Sequence, residues 1–297
     1  MPPTRVPGQR HDSRLFKVLR RVLSGADGMR SKHGANLALD ILAANGIAEI
    51  AIPRADGRLV HVSTGDKVIA SSVVRTGSFG RENMEAFVRL LADAGLAPSR
   101  LTFVNIGANI GTACLNAYDA GFRRLVAVEP EPRNFDLLER NLADLRGAMV
   151  RCVACAIGAE AGHADLHRHP TNLGSHSLVA PAREARMGDT VRVAIRTLAE
   201  IITPGEPFCL FIDVEGFEPQ VLRGGGEAIV ADCRAIVLEI TPGRTTTEDK
   251  ADMCQRLAAF ASELVLLPSG ERHPVADLAR LMAECRSGHF DIALLRG

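Results

Sequence analysis

Apolar and polar positions change their period along this chain. From residue 101 onward, short apolar runs recur near 101–106, 124–128, 149–154, 207–213, 234–240, 264–267 and 289–295. Their length and lack of polar alternation predict strands buried on both faces. Between them, apolar residues fall three and four apart near 110–121, 133–145, 218–230, 247–261 and 274–285, which predicts helices. Strands alternating with helices predict an α/β domain: a doubly wound, mostly parallel, seven-stranded sheet with helices on both faces. Segment 157–196 interrupts the alternation. There 162–169 and 191–196 read as extra strands flanking a polar loop.

The first hundred residues follow a mixed pattern. Residues 1–12 carry three prolines and mixed charge, the composition of a disordered tail. Residues 13–24 read as an amphipathic helix, with Leu15, Phe16, Leu19, Val22 and Leu23 on one face and most of Arg14, Lys17, Arg20 and Arg21 elsewhere. Such a helix docks on its own domain with a solvated basic edge, or makes a weak peripheral contact with a membrane or partner. Helices are expected over 35–45 and 81–95, and strands over 48–53, 58–63 and 67–70, with Asp56-Gly57 as a hairpin turn. Residues 13–100 thus read as an N-terminal α+β cap, and 101–297 as the main domain.

Composition narrows the function. Lys+Arg and Asp+Glu both total 35, so the basic excess of a nucleic-acid binder is missing. Trp is absent and Tyr118 is the one tyrosine, which leaves few platforms for stacking bases. No apolar run reaches the ~18 residues of a membrane span, and no signal-peptide core is evident. The seven cysteines lie largely inside apolar runs, as reduced, buried thiols of a cytoplasmic protein do. Cys152 and Cys155 form a CxxC inside a strand-like run, and no second pair completes a zinc site. His163, Asp165, His167 and His169 alternate, which suits the solvent face of a strand better than a metal site.

The candidate chemistry gathers at strand ends. The first strand of the main domain breaks into Gly107-Ala108-Asn109-Ile110-Gly111, and the second ends in a lone acid, Glu129. Strand, glycine loop, helix, strand and acid form a nucleoside grip, the acid taking both ribose hydroxyls. A dinucleotide favours a glycine where Asn109 stands, so that amides can approach its phosphates. S-adenosylmethionine has no phosphate and fits the loop as written. A second buried strand ends in Asp213 and Glu215, two residues apart and able to share a face. The following strand carries Glu239, which lies beside Asp213 if the strands are neighbours. Such carboxylates can act as bases, bind hydroxyls or hold a divalent ion; they can also be buried acids satisfied by backbone amides, and Glu215 or Glu218 can cap the helix that follows. His176, in the polar loop 172–178, is either a general base or a loop hydrogen-bonding group.

Several of these segments together resemble the FkbM-type methyltransferases: Val104-Asn105-Ile106-Gly107-Ala108-Asn109-Ile110-Gly111; Val126-Ala127-Val128-Glu129-Pro130-Glu131-Pro132 with Asn134 and Asn141; Arg196-Thr197-Leu198; and Ile212-Asp213-Val214-Glu215-Gly216-Phe217-Glu218. The resemblance covers roughly 100–245. It implies a class I, Rossmann-like methyltransferase that uses S-adenosyl-L-methionine, commonly on a hydroxyl of a sugar or other small molecule. On that likeness Asn105, Gly107, Asn109 and Gly111 border the methionine part and Glu129 the ribose. Ala156 and Ile157 flank the adenine, and Asp213 faces the transferred methyl group. Two positions depart: Asn105 stands where the family often has Asp, and Phe211 where it often has Lys. No metal is implied, and the expected partner is a small-molecule or glycan acceptor. The competing readings are an NAD-dependent oxidoreductase and a non-catalytic nucleoside-binding module.

Overall fold

The computed structural model describes residues 31–180 and 189–296. The expected tail 1–12 and helix 13–24 lie outside the described residues. The chain divides into two compact units, one of residues up to Phe79 together with 171–174, the other of residues 80–170 and 175–297.

In the smaller unit, helix α1 (Lys32–Ala44) starts at Ser31, whose side chain accepts the Gly34 N–H. Strands β1 (Glu49–Pro53) and β2 (Leu59–Ser63) form the expected hairpin, with Gly57 at φ +84° in its turn. The strand expected over 67–70 is instead the entry to helix α2 (Ile69–Thr76). The cause is Asp66, whose carboxylate accepts the backbone N–H groups of Val68, Ile69 and Ala70 at 2.8–3.3 Å and so starts a turn rather than an extended run.

The larger unit opens with helix α3 (Arg81–Asp93). Expected to belong with the preceding segment, α3 packs instead against the large sheet and its first crossover helix. Then follow β3 (Thr102–Ile106), α4 (Thr112–Asp119), β4 (Arg124–Val128), α5 (Pro132–Leu142) and β5 (Met149–Val153). After an excursion come β9 (Phe208–Ile212), α6 (Glu218–Asp232), β10 (Cys233–Ile240), α7 (Thr247–Phe260), β11 (Glu263–Leu267), β12 (Arg272–Pro274), α8 (Leu278–Glu284) and β13 (Phe290–Leu295). The sheet order is β12-β11-β13-β10-β9-β3-β4-β5. β5, β4, β3, β9 and β10 are mutually parallel, whereas β13 runs antiparallel to both β10 and β11.

Seven of these strands are the mostly parallel sheet that the alternation predicts. The eighth, β12, is a correction. It is Arg272-His273-Pro274 folded back on β11, too short and with too little apolar surface to show as a strand in sequence. The excursion forms a separate sheet, β6-β8-β7, from β6 (Ala156–Ile157), β7 (Gly162–His167) and β8 (Thr190–Arg196). His163 and Asp165 on β7 are exposed, while Leu166 on the opposite face is buried, which is the solvent-facing arrangement expected for that strand.

The order places β3 beside β9, with the early crossovers going one way and the later ones the other. This is a topological switch point, where open α/β sheets bind ligands outside the carboxyl ends of their strands.

Candidate active site

At the switch point two backbones nearly touch. The N–H of Asp213 donates to the carbonyl of Ile106 at 3.0 Å. A Cβ on Gly107 would stand 1.8 Å from the carbonyl oxygen of Asp213, and Gly107 has φ +81°. No other residue fits there without separating β3 from β9. Gly111 answers a different need: a Cβ there would meet Leu138 of α5 at 2.8 Å, so its absence lets α4 lie close against α5. Between these glycines Asn109 adopts φ +50°, a left-handed conformation that Asn tolerates better than most residues.

The loop is held from three sides. The carbonyl of Val128 accepts the N–H groups of Gly107 and Ala108. Asn141 of α5 donates its side-chain amide to the carbonyl of Ile110 at 2.8 Å. Glu129, 5% exposed, accepts the N–H of Asn109 on one oxygen at 2.9 Å and that of Glu131 on the other at 2.8 Å. Burial pushes its carboxyl up to about 7 against the pull of those amides. Glu131 is buried as well; it caps α5 through the Asn134 N–H and pairs with Arg168 at 2.6 Å, so its charge is not left alone.

The acids of β9 and β10 meet as expected. Register pairs Leu238 with Ile212, which sets Glu239 beside Asp213, and one oxygen from each of Asp213, Glu215 and Glu239 lies within 4.8 Å of the others. Burial, then the charge of Glu239, raises the proton affinity of Asp213 far above the ordinary carboxylate range. Burial and Asp291 do the same to Glu239. Glu215, at φ +56°, spends one oxygen on the Ser175 hydroxyl at 2.8 Å and the other on Arg244 at 3.1 Å. The spacing of the three carboxylates suits a divalent ion, yet only Asp213 and Glu239 retain oxygens not engaged by Ser175 or Arg244. Glu218 is not the N-cap residue of α6, a position taken by Phe217. It sits one residue inside and accepts the Gly216 N–H at 2.8 Å, its carboxyl raised to about 7 by burial.

His176 makes a hydrogen bond within its loop. Its Nδ1 accepts the backbone N–H of His169 at 2.9 Å, and burial lowers its pKa to about 4. The imidazole is therefore neutral at pH 7, with its proton on Nε2. Ala156 and Ile157 are buried on β6, the strand that leads away from the sheet immediately past β5.

Four neighbours escaped the sequence reading: Asn83, Ser175, Arg244 and Asp291. The one local signal is Asp291, a lone acid inside the apolar run of the last strand. The others contact the site from distant segments.

The residues fit an adenosyl sulfonium donor. Glu129 accepts two backbone amides and a side-chain hydrogen bond from Asn134, and these do not use all the lone pairs of its two oxygens, which leaves room for a ribose hydroxyl. The Oδ1 of Asn105, 1% exposed, has no hydrogen-bond partner among the described residues, while its Nδ2 lies 3.6 Å from the Cys114 sulfur. An amide oxygen there can accept a hydrogen bond, as the carboxylate expected from the resemblance could. Phe211, which replaces the common Lys, packs its ring 5.7 Å from Phe103 and adds core rather than charge.

Comparison with known proteins agrees. The family model of the methyltransferase FkbM domain matches residues 105–264. The chain is similar to methyltransferase sdnD of Sordaria araneosa, with 29% identity over 189 residues, 52% of this chain and 72% of that protein. Among solved structures, it is similar to magnesium protoporphyrin IX methyltransferase from Synechocystis PCC 6803 with bound SAM (TM-score 0.42, 11% identity, 76% of this chain and 83% of that one). It is also similar to precorrin-6y C5,15-methyltransferase from Geobacter metallireducens (TM-score 0.36, 13% identity, 67% and 81%). The family match spans more than half of the sequence, and the chain belongs to the FkbM methyltransferase family, with S-adenosylmethionine as its methyl donor.

Proposed function

We propose that the protein is an O-methyltransferase acting on a hydroxyl of a sugar or another small hydroxylated metabolite. The observation that carries this reading is the meeting of Asp213 and Glu239 at the switch point, within 4.8 Å of each other and next to the glycine loop. S-adenosylmethionine, when bound, supplies an electrophilic methyl group on a sulfonium. In this reading Glu129 holds the ribose, and the loop residues Gly107, Asn109 and Gly111 pass beneath the methionine part. Asn105 Oδ1 accepts from the ammonium, and Ala156 and Ile157 flank the adenine. Asp213 takes the acceptor's proton, with Glu239 as its carboxyl partner. A carboxylate in a buried, acid-rich setting binds a proton more tightly than one in water, which makes it a stronger base toward a hydroxyl. Glu215 and His176 stand outside proton transfer: the first is committed to Ser175 and Arg244, the second to the His169 amide. Alignment of donor and acceptor contributes most of the rate, on the order of 7–11 kcal/mol for well-oriented reactants. A cytoplasmic setting belongs to the same proposal, supported by Cys114, Cys155, Cys209 and Cys233 lying buried as free thiols.

The test combines the full chain and donor labelled in its methyl group with a panel of sugars, glycolipids and small hydroxylated metabolites. Label is expected in a methyl ether. Asp213→Asn is expected to lower transfer ~100-fold or more while leaving affinity for S-adenosylhomocysteine within a few-fold. Undiminished transfer by that variant removes Asp213 from the mechanism. Donor binding without transfer to any acceptor favours the non-catalytic module.

A further inference from the structure

β13 is antiparallel to β10, so its first residues reach the same end of the sheet as the last residues of β9 and β10. Register sets Asp291 directly opposite Glu239. Like charges facing each other across a strand pair destabilise a sheet. The rest of β13, Phe290, Ile292, Ala293, Leu294 and Leu295, is apolar, so packing alone does not call for an acid there. The acid is also anchored: Asn83 of α3, 208 residues away in sequence, donates its side-chain N–H to Asp291 Oδ2 at 2.7 Å. Burial raises the Asp291 carboxyl, and the hydrogen bond donated by Asn83 works against that rise by favouring the ionised form.

We infer that Asn83 and Asp291 are positioning residues that hold a negative charge against Glu239 and thereby keep a proton on Glu239 at neutral pH. This rests on the reading of Asp213 and Glu239 as the proton-handling pair. A proton kept on Glu239 removes the strongest of the charges that raise Asp213, although burial, Glu215 and Asp291 still raise it; Asp213 is therefore easier to ionise than beside a charged Glu239. In the transfer, the acceptor's O–H proton goes to Asp213 as the new O–C bond forms and the C–S bond of the donor breaks; Glu239 keeps its proton throughout. Other groups face the pair. Glu215, in the loop after β9, and Glu218 of α6 add negative charge, whereas Arg244 after β10 and His289 before β13 oppose it. Asp291 follows only burial among the causes that raise Glu239.

The experiment is an infrared pH titration of the full chain, following the C=O band of protonated carboxyl groups. The Glu239 band is identified as the one lost in Glu239→Gln. In the unsubstituted protein it is expected to persist through pH 7. In Asp291→Asn, which keeps an oxygen for Asn83 and removes the charge, its midpoint is expected to fall by about one pH unit or more. Asn83→Ala is expected to move it the same way by less, as Asp291 loses its donor and takes up the proton. S-adenosylhomocysteine binding by calorimetry checks that each variant is folded, and Asp291→Ser replaces Asp291→Asn if the latter does not bind. An unmoved Glu239 midpoint in a folded, charge-free variant overturns the inference. The band reports on Glu239 without any acceptor. A shifted midpoint together with undiminished transfer by Asp213→Asn therefore upholds the inference about Asp291 while overturning the catalytic reading.

Discussion

Glu129 shows how far a single residue can be read. A lone acid ending an apolar run stands out in sequence, and the structure adds why it is poised: two backbone amides grip it in a buried place that burial raises to about 7. In the proposed reading ribose hydroxyls donate to the ionised carboxylate, so cofactor binding and deprotonation favour each other. Affinity for S-adenosylhomocysteine is therefore expected to be level above about pH 8. Below pH 7 it should weaken, approaching tenfold per unit. Calorimetry from pH 5.5 to 8.5 checks this, and Glu129→Gln is expected to bind weakly with a flatter pH dependence. Glu215 and His176 were less legible. Their type and position suit a base equally well, and the proposal that they serve the loop rests on their contacts with Ser175, Arg244 and His169.

Elements are decided partly by residues just outside them. Residues 67–70 look extended because Val68 and Ile69 are β-branched, yet three N–H groups accepted by the buried Asp66 carboxylate turn them into a helix start. Asp66→Ala is expected to cost about 1–2 kcal/mol, seen as a lower urea midpoint, with Asp66→Asn recovering part of it. Helix α6 shows the same dependence on a neighbour. A Cβ on Gly224 would stand 1.9 Å from the carbonyl oxygen of Gly158, backbone that cannot step aside without moving β6. Gly224→Ala is expected to destabilise by about 1–3 kcal/mol, whereas Gly243→Ala, where nothing lies within 4 Å of the added carbon, serves as the mild control.

At the scale of the molecule, the buried acids tie stability to pH. Glu129 and Glu218 have folded values of about 7 against an ordinary 4.5, so the folded chain binds more protons than the unfolded one in between. Their contribution is fully present below about pH 4.5 and is lost as pH rises through 7. Asp213, Glu239 and Asp291 are raised too and act in the same direction. Asp56 and Asp252, lowered chiefly by hydrogen bonds from Arg58 and Arg256, act oppositely as pH falls through their low values, and His176, lowered from 6.5 to about 4 by burial, opposes the acids between those two values but is one group against several. Thermal unfolding of the protein without cofactor is expected to show its highest Tm near pH 5 and a fall of several degrees by pH 8. A Tm that rises over that interval contradicts the picture of retained protons.

The chain's own pattern was enough for the alternation of strands and helices, the glycine loop and the acids at strand ends. A strand's burial and a turn's positive φ are demands met by adjacent residues, so they leave a mark in local order. It could not show the eighth strand, whose three residues pair only because the chain turns back on β11. Nor could it show that Asp291 faces Glu239, or that Asn83 holds Asp291 from the other end of the unit. Those pairings come from strand order and register, set by the packing of the entire sheet, and no stretch of neighbouring residues encodes which distant side chain arrives beside it.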